Sequence, residues 1–281
     1  MWNQLKTILL LGVIAAIAVG LGALFGGRSG LYVALGFALL FNLAMYFWSD
    51  KLVLWSYKAK EADKDAHREL RDMVARVARQ AGIPAPRVYL IQDASPNAFA
   101  TGRNPKHAAV AYTEGIVRLL SAEELEGVTA HELAHVRNRD ILIMTIAAVF
   151  ASMISWVGHI FAFGGDDDGP NLLGIVIGLV VAPFVAMLLQ LAISRTREFH
   201  ADETGARITR KPRSLASALE RLERGIANQP MPAAGDATAS LFIANPFGPT
   251  RSKKKGFRVS TLFMTHPPMD ERIERLKKLR L

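Results

Sequence analysis

Four long, uncharged apolar runs constrain the fold of this chain more than any other feature. They cover residues 7–27, 31–48, 141–163 and 172–193, and 51% of the 281 residues are hydrophobic. Each run is close to the ~20 residues that a helix needs to cross a bilayer. The first two are separated by three residues only, so we expect an uncleaved hairpin rather than a signal peptide, whose apolar core is shorter. The last two predict a second hairpin, and the alternative is a buried hairpin inside a soluble domain.

The distribution of positive charge predicts how these spans are oriented. Of the 34 Lys and Arg residues, all except Arg28 are Lys6 or lie in 51–139 or in the tail from Arg195. The positive-inside rule therefore places both termini and both polar segments in the cytoplasm, with the two hairpin turns outside. The net charge of +9 alone could indicate nucleic acid. No basic stripe is interleaved with aromatic residues, so we expect the lipid bilayer, and no nucleic acid, as a partner.

The polar segments predict a mainly α fold with a small β-sheet, joined to four transmembrane helices. Strands are predicted at 88–91, 97–101 and 108–112, and amphipathic helices at 58–80, around Leu215–Leu222 and at 269–281. The predicted parts are an N-terminal transmembrane hairpin (1–50), a cytoplasmic catalytic part (51–140), a second transmembrane hairpin (141–193) and a second cytoplasmic catalytic part (194–281). The stretch 228–268 is rich in Pro, Gly, Ala and Ser, which predicts a mobile lid, a binding loop or disorder, and no motif assigns a role to its 228–258 loop.

The pentapeptide His131-Glu-Leu-Ala-His135 carries the chemistry. Ser121 and Glu124 form a Ser-x-x-Glu capping box, which predicts that the helix carrying this motif begins near Ala122. Residues four apart lie on one helical face, so the two imidazoles can bind one Zn²⁺ while Glu132 can take a proton from an attacking water. The chain has no cysteine, so only histidine and carboxylate ligands are available.

A catalytic zinc usually has three protein ligands, so a third must come from elsewhere in the chain. Glu198 is the candidate, and Asp202, four residues on, can hydrogen-bond a ligand imidazole. His135 lies six residues before the third apolar run, and Glu198 lies five residues after the fourth. At ~1.5 Å per helical residue, the two ligands would stand ~9 and ~7.5 Å from the hydrocarbon edge. An antiparallel hairpin would therefore bring them together.

Several blocks of the sequence resemble the HtpX family of membrane-bound zinc metalloproteases, which is related to the prenyl-protein proteases. They are Asn97-Ala-Phe-Ala-Thr-Gly102, the His131–His135 motif with Arg139-Asp140, Ser194–Asp202, and Thr265-His-Pro-Pro268. The resemblance implies an α+β, zincin-like catalytic domain in which His131, His135 and Glu198 bind one Zn²⁺ and Glu132 is catalytic. It also implies quality control of misfolded or damaged membrane proteins in a bacterial inner membrane, with membrane-protein or unfolded polypeptide substrates.

Two further residues are weaker candidates for contacts with the oxyanion or the substrate. His266 could donate a hydrogen bond to a tetrahedral oxyanion, or could be part of a structural turn. Asn97 starts a predicted edge strand that a substrate could extend, although an ordinary core strand fits equally well. Alternative functions are an intramembrane-type processing protease and a non-catalytic membrane scaffold protein. The charged residues that flank the motif argue against a metal within the bilayer.

Overall fold

The computed structural model describes residues 2–151, 195–231, 238–247 and 267–281. Within these ranges the chain is mainly helical, with one four-stranded mixed sheet. The helices are α1 (Trp2–Ser56), α2 (Arg68–Ala81), α3 (Glu114–Leu119), α4 (Ala122–Arg137), α5 (described over Ile141–Ala151), α6 (Arg195–Thr209), α7 (Pro212–Asn228) and α8 (Met269–Lys278). The strands are β1 (Lys60–Glu61), β2 (Arg87–Ile91), β3 (Ala98–Gly102) and β4 (Ala108–Thr113).

The N-terminal hairpin forms as expected. Helix α1 bends at Gly27, whose φ of 56° is in the left-handed region that glycine tolerates. The two arms contact each other, as the hydrogen bond from the Asn42 amide to the Leu11 carbonyl shows. In the described part of the chain, Thr7–Leu24 and Gly26–Ser56 are long and apolar enough to cross a membrane. The second predicted hairpin lies outside the described residues, apart from α5.

The sheet has the order β1-β2-β4-β3, with β2 and β4 parallel and the other pairs antiparallel. Its two faces cover different cores, since side chains alternate along a strand. Val110 and Tyr112 face a cluster with α2, α4 and α7, whereas Phe99 and Ala111 face a cluster with α5 and the end of α1. Met45, Val53, Leu54 and Tyr57 of α1 belong to that second cluster. The end of the apolar helix is therefore part of the same packed body as the sheet.

Two sequence predictions need correction in their bounds. The helix predicted from Lys58 begins only at Arg68, because 58–67 form the short strand β1 and a turn. The apolar run predicted to end at Trp48 continues as helix to Ser56, where burial against the sheet stabilises the last turns. The predicted helix start at Ala122 and the helix stop at Gly82 (φ 69°) are both confirmed.

Candidate active site

Helix α4 places both motif histidines inside the protein. Its capping box is present in both directions, with the Ser121 hydroxyl accepting from the Glu124 amide and the Glu124 carboxylate accepting from the Ser121 amide. All residues from Gly127 to Val136 are buried. The rings of His131 and His135 lie at 88° to each other with centroids 4.9 Å apart. The two imidazoles therefore face one shared space on one side of the helix.

Helix α6 brings Glu198 into this space. Its carboxylate lies 3.7 Å from Nε2 of His131 and 3.5 Å from Nε2 of His135. One ligand atom from each of the three residues lies within 4.8 Å of the others, and all three side chains are buried. Ligands ~2.0–2.1 Å from a tetrahedral zinc are about 3.3–3.4 Å apart. The ligand atoms of the three residues predicted from the sequence are thus spaced as a small divalent cation requires.

Close packing of α6 against α4 sets this spacing. A Cβ at Gly205 would lie 2.8 Å from the His131 amide nitrogen and 3.0 Å from the Ala130 carbonyl carbon. Only glycine allows the two backbones to approach this closely. Gly205 therefore lets Glu198 and Asp202, on the same helix, reach the histidines.

Each histidine has a carboxylate beside its second ring nitrogen. Asp202 lies 2.9 Å from Nδ1 of His131, and Asp140 lies 3.4 Å from Nδ1 of His135. A carboxylate in this position fixes the imidazole orientation and keeps the proton on Nδ1, which leaves Nε2 for a metal. The role proposed for Asp202 thus has a counterpart in Asp140. The sequence reasoning missed this second residue.

A tight turn at the end of α4 positions Asp140. Arg139 has a φ of 60°, and the Asp140 amide then donates to the His135 carbonyl at 2.9 Å. The acidic residue directly after the motif helix was the available signal. Arg272 was also missed, since it lies on α8, far from the motif in sequence. It donates two hydrogen bonds to Asp202.

Burial dominates the electrostatics of the site. His131, Glu132, His135 and Glu198 are at most 4% exposed. Burial, with a smaller contribution from Glu198, raises the pKa of Glu132 to about 8. A divalent cation between the ligands would counter this by favouring the ionised carboxylate.

The two histidines differ in their surroundings. Burial lowers the pKa of His131, and the positive charge of Arg272 contributes. Burial also lowers the pKa of His135, but Glu198 and Asp140 outweigh it and raise that pKa to about 9. The acidic surroundings of His135 therefore attract positive charge, which a bound metal ion would supply.

Of the two weaker candidates for oxyanion or substrate contacts, Asn97 lies in the described part of the chain and His266 does not. Asn97 is fully buried, and its side-chain amide donates to the Ala244 carbonyl at 2.8 Å while its oxygen accepts from Ala98 and Ala244. These bonds commit the side chain to holding the 241–244 segment against β3. His266 lies outside the described residues, as does most of the predicted 228–258 loop.

A pair of helix-borne histidines with a glutamate beside the first is the motif of His-Glu-x-x-His metallopeptidases, and here a buried carboxylate from a second helix lies next to the pair. The model of peptidase family M48 matches residues 64–280, which include every described member of the site. The chain is therefore a metallopeptidase.

Comparison with known proteins narrows the class. A protein named "Protease HtpX homolog" from Thermococcus kodakarensis is 46% identical, over 99% of this chain and 96% of its own. Another protein of that name, from Desulfatibacillum aliphaticivorans, is 48% identical over 98% of this chain and 89% of its own. The chain belongs to peptidase family M48 and, within it, to the HtpX proteases.

A solved structure supports the fold. The crystal structure of S. mikatae Ste24p superposes with a TM-score of 0.53 at 18% identity, covering 98% of this chain and 65% of that one. At this identity the match concerns the fold alone. Together with the apolar N-terminal helices, the comparisons indicate a membrane protein.

Proposed function

We propose that this protein is a zinc-dependent endopeptidase that hydrolyses membrane-protein or unfolded polypeptide substrates at the cytoplasmic face of the cell membrane. The convergence of His131, His135 and Glu198 from two helices is the observation that carries the proposal. Two imidazoles and one carboxylate are the ligands of many catalytic zinc sites, which keep the fourth position open.

Each residue has a distinct task in this proposal. When bound, the metal ion acidifies the attacking water and polarises the peptide carbonyl. Glu132 accepts the proton of that water and later donates it to the leaving amine. The backbone N–H of Ala100 favours the ionised form of the Glu132 carboxylate and so lowers its pKa, against the larger effect of burial. Asp202 and Asp140 keep the two imidazoles in the tautomer that exposes Nε2.

The substrate would pair with the sheet edge. Strand β3 is the edge strand next to β4, and an extended peptide can add to such an edge through main-chain hydrogen bonds. The Ile243 amide donates to the Ala98 carbonyl, so part of this edge is already paired. Because the ligands and Glu132 are buried, a polypeptide would enter only after local opening of the site. Such a requirement suits a protease that acts on unfolded chains in quality control.

The proposed location is the inner membrane, which the chain would cross four times. Both termini and both catalytic parts would lie in the cytoplasm. The distribution of Lys and Arg supports it. A topology reporter fused at Asp166, in the predicted turn between the apolar runs 141–163 and 172–193, should report an external location. A cytoplasmic signal there would contradict the proposed orientation.

Activity and metal content test the proposed chemistry together. The purified protein should contain one zinc ion per chain and cleave casein. Glu132→Gln should keep the zinc and lose the cleavage, because it removes the base but no ligand. Equal cleavage by both proteins would exclude Glu132 as the base. Absence of zinc and of cleavage in the wild type would instead favour a membrane scaffold role.

A further inference from the structure

Arg272 is a fully buried cation that links the C-terminal helix to the metal site. Its Nε and Nη2 donate to the two carboxylate oxygens of Asp202 at 2.8 and 2.7 Å. Its Nη1 donates to the Ile243 carbonyl at 2.8 Å, so three segments of the chain meet at one guanidinium. Such a bidentate pair fixes the plane of the carboxylate as well as its charge.

The bond to Asp202 bears directly on a proposed ligand. Oδ1 of Asp202 accepts from Arg272 and also lies 2.9 Å from Nδ1 of His131. Rotation of the carboxylate would break both contacts together. Arg272 thus acts on His131 through Asp202, and the order His131–Asp202–Arg272 is a chain of hydrogen bonds leading away from the metal site.

The second histidine has a looser version of the same arrangement. Asp140 lies 3.4 Å from Nδ1 of His135, and Nε of Arg197 lies 3.9 Å from Asp140. The side chain of Arg197 is 11% exposed, whereas that of Arg272 is 0% exposed. The tighter geometry makes the Arg272 arrangement the more rigid of the two.

Charge supports the pairing. Four buried carboxylates among the described residues lie close to two guanidinium groups; the carboxylates are Glu132, Glu198, Asp202 and Asp140, and the guanidinium groups are Arg272 and Arg197. Of the two guanidinium groups, Arg272 is the one that makes a bidentate pair with its carboxylate, Asp202.

We propose that Arg272 is a positioning residue of the metal site, which orients the Asp202 carboxylate so that His131 presents Nε2 to the metal ion. The inference rests on the proposed metal site at His131, His135 and Glu198. Helix α8 therefore acts on the metal site through Arg272, whose contact with Asp202 is distinct from the contacts that α8 makes with α7.

The sign of the change in metal affinity distinguishes positioning by Arg272 from repulsion by its positive charge. Nη2 of Arg272 lies 3.5 Å from both ring nitrogens of His131 and 4.0 Å from Glu198, so its positive charge repels a metal cation. If charge repulsion dominated, Arg272→Met would bind metal more tightly. If positioning dominates, the same variant binds metal more weakly.

The experiment measures zinc affinity of the full-length protein by chelator competition, and the visible absorption spectrum after loading with Co²⁺. Loss of such an outer partner typically weakens metal binding about 10–100-fold, and we expect this for Arg272→Met with a changed Co²⁺ spectrum. Arg272→Lys keeps the charge without the bidentate geometry and should fall between Arg272→Met and wild type. Arg197→Met should have a smaller effect than Arg272→Met.

Two controls distinguish positioning from general damage to α8. Lys277→Ala removes the 2.6 Å bond from α8 to Glu220 on α7, away from the site, and should leave zinc affinity and the Co²⁺ spectrum unchanged. In an Asp202→Asn background, Arg272→Met should cause little further loss of affinity, since both act through one contact.

The outcomes are distinct. Wild-type affinity and spectrum in folded Arg272→Met and Arg272→Lys, or tighter binding in the former, would overturn the role of Arg272 and leave the proposed metal site intact. If Arg272→Met fails to fold, the Arg272→Lys spectrum decides. A wild-type protein that binds no zinc would instead overturn the proposed function.

Discussion

Gly205→Ala tests whether the contact between α6 and α4 sets the geometry of the site. The added Cβ would lie 2.8 Å from the His131 amide nitrogen, whereas ordinary van der Waals contact begins at 3.4 Å. Every close neighbour of this Cβ is a backbone atom of α4, so no side chain can rotate away. Helix α6 must therefore move by about 0.6 Å.

A shift of this size matters more for the site than for folding. Overpacking costs about 1–3 kcal/mol, but replacing a helical glycine by alanine stabilises the helix by about 1 kcal/mol. The free energy of unfolding should therefore fall by no more than ~2 kcal/mol. The 2.9 Å contact between Asp202 and His131 would lengthen to about 3.5 Å, outside normal hydrogen-bond range. We expect zinc affinity to fall about 10-fold or more.

The assay is chelator competition for zinc, paired with denaturant unfolding of the metal-free protein. Gly225→Ala on α7 is the matched control, because its Cβ would meet side chains of Leu119 and Pro96 at 2.8 Å and no part of the site. The control should lose stability but keep its zinc affinity. If Gly205→Ala bound zinc as tightly as wild type, the close approach of the helices would not position the ligands.

Three other predictions concern stability and metal binding. Asn97→Ala should lower the free energy of unfolding, measured in urea, by about 1–3 kcal/mol for each buried group left unsatisfied. Steady-state kinetics on the folded fraction should show an unchanged KM for casein. Ser121→Ala removes the cap of α4, so the free energy of unfolding in urea should fall by about 1 kcal/mol while the zinc content stays the same. Removing zinc with a chelator should lower Tm, since zinc at a thousand times its Kd contributes about 4 kcal/mol, whereas Glu198→Ala should show no such chelator-dependent shift.

The helices and strands that the sequence predicted are those with a clear local signal. The capping box of α4 and the glycine that ends α2 are chemical features of neighbouring residues, and both are present. The short strand β1 has two exposed residues, and its only reason to form is pairing with β2. Local patterns contain no information about such a partner, which explains why a longer helix was predicted there.

The difference between local signals and tertiary contacts also explains which site residues could be predicted from the sequence. His131, Glu132 and His135 lie on one helix, and Glu198 and Asp202 share the spacing of another, so periodicity identified them. Arg272 has no spacing relation to the motif, because the tertiary fold alone brings α8 beside α6. Asn97 shows the converse: its position in a predicted strand fitted either a substrate contact or an ordinary core strand, and in the fold its amide holds the 241–244 segment. A sequence pattern identifies the residue but not the partner.

Anomalous diffraction at the zinc absorption edge would locate the metal ion directly. We expect one strong peak per chain, ~2.0–2.1 Å from Nε2 of His131, from Nε2 of His135 and from a carboxylate oxygen of Glu198. The peak should be absent in crystals of Glu198→Ala. A zinc-loaded crystal with no peak between these three side chains, or with its peak elsewhere in the chain, would show that they are not the zinc ligands.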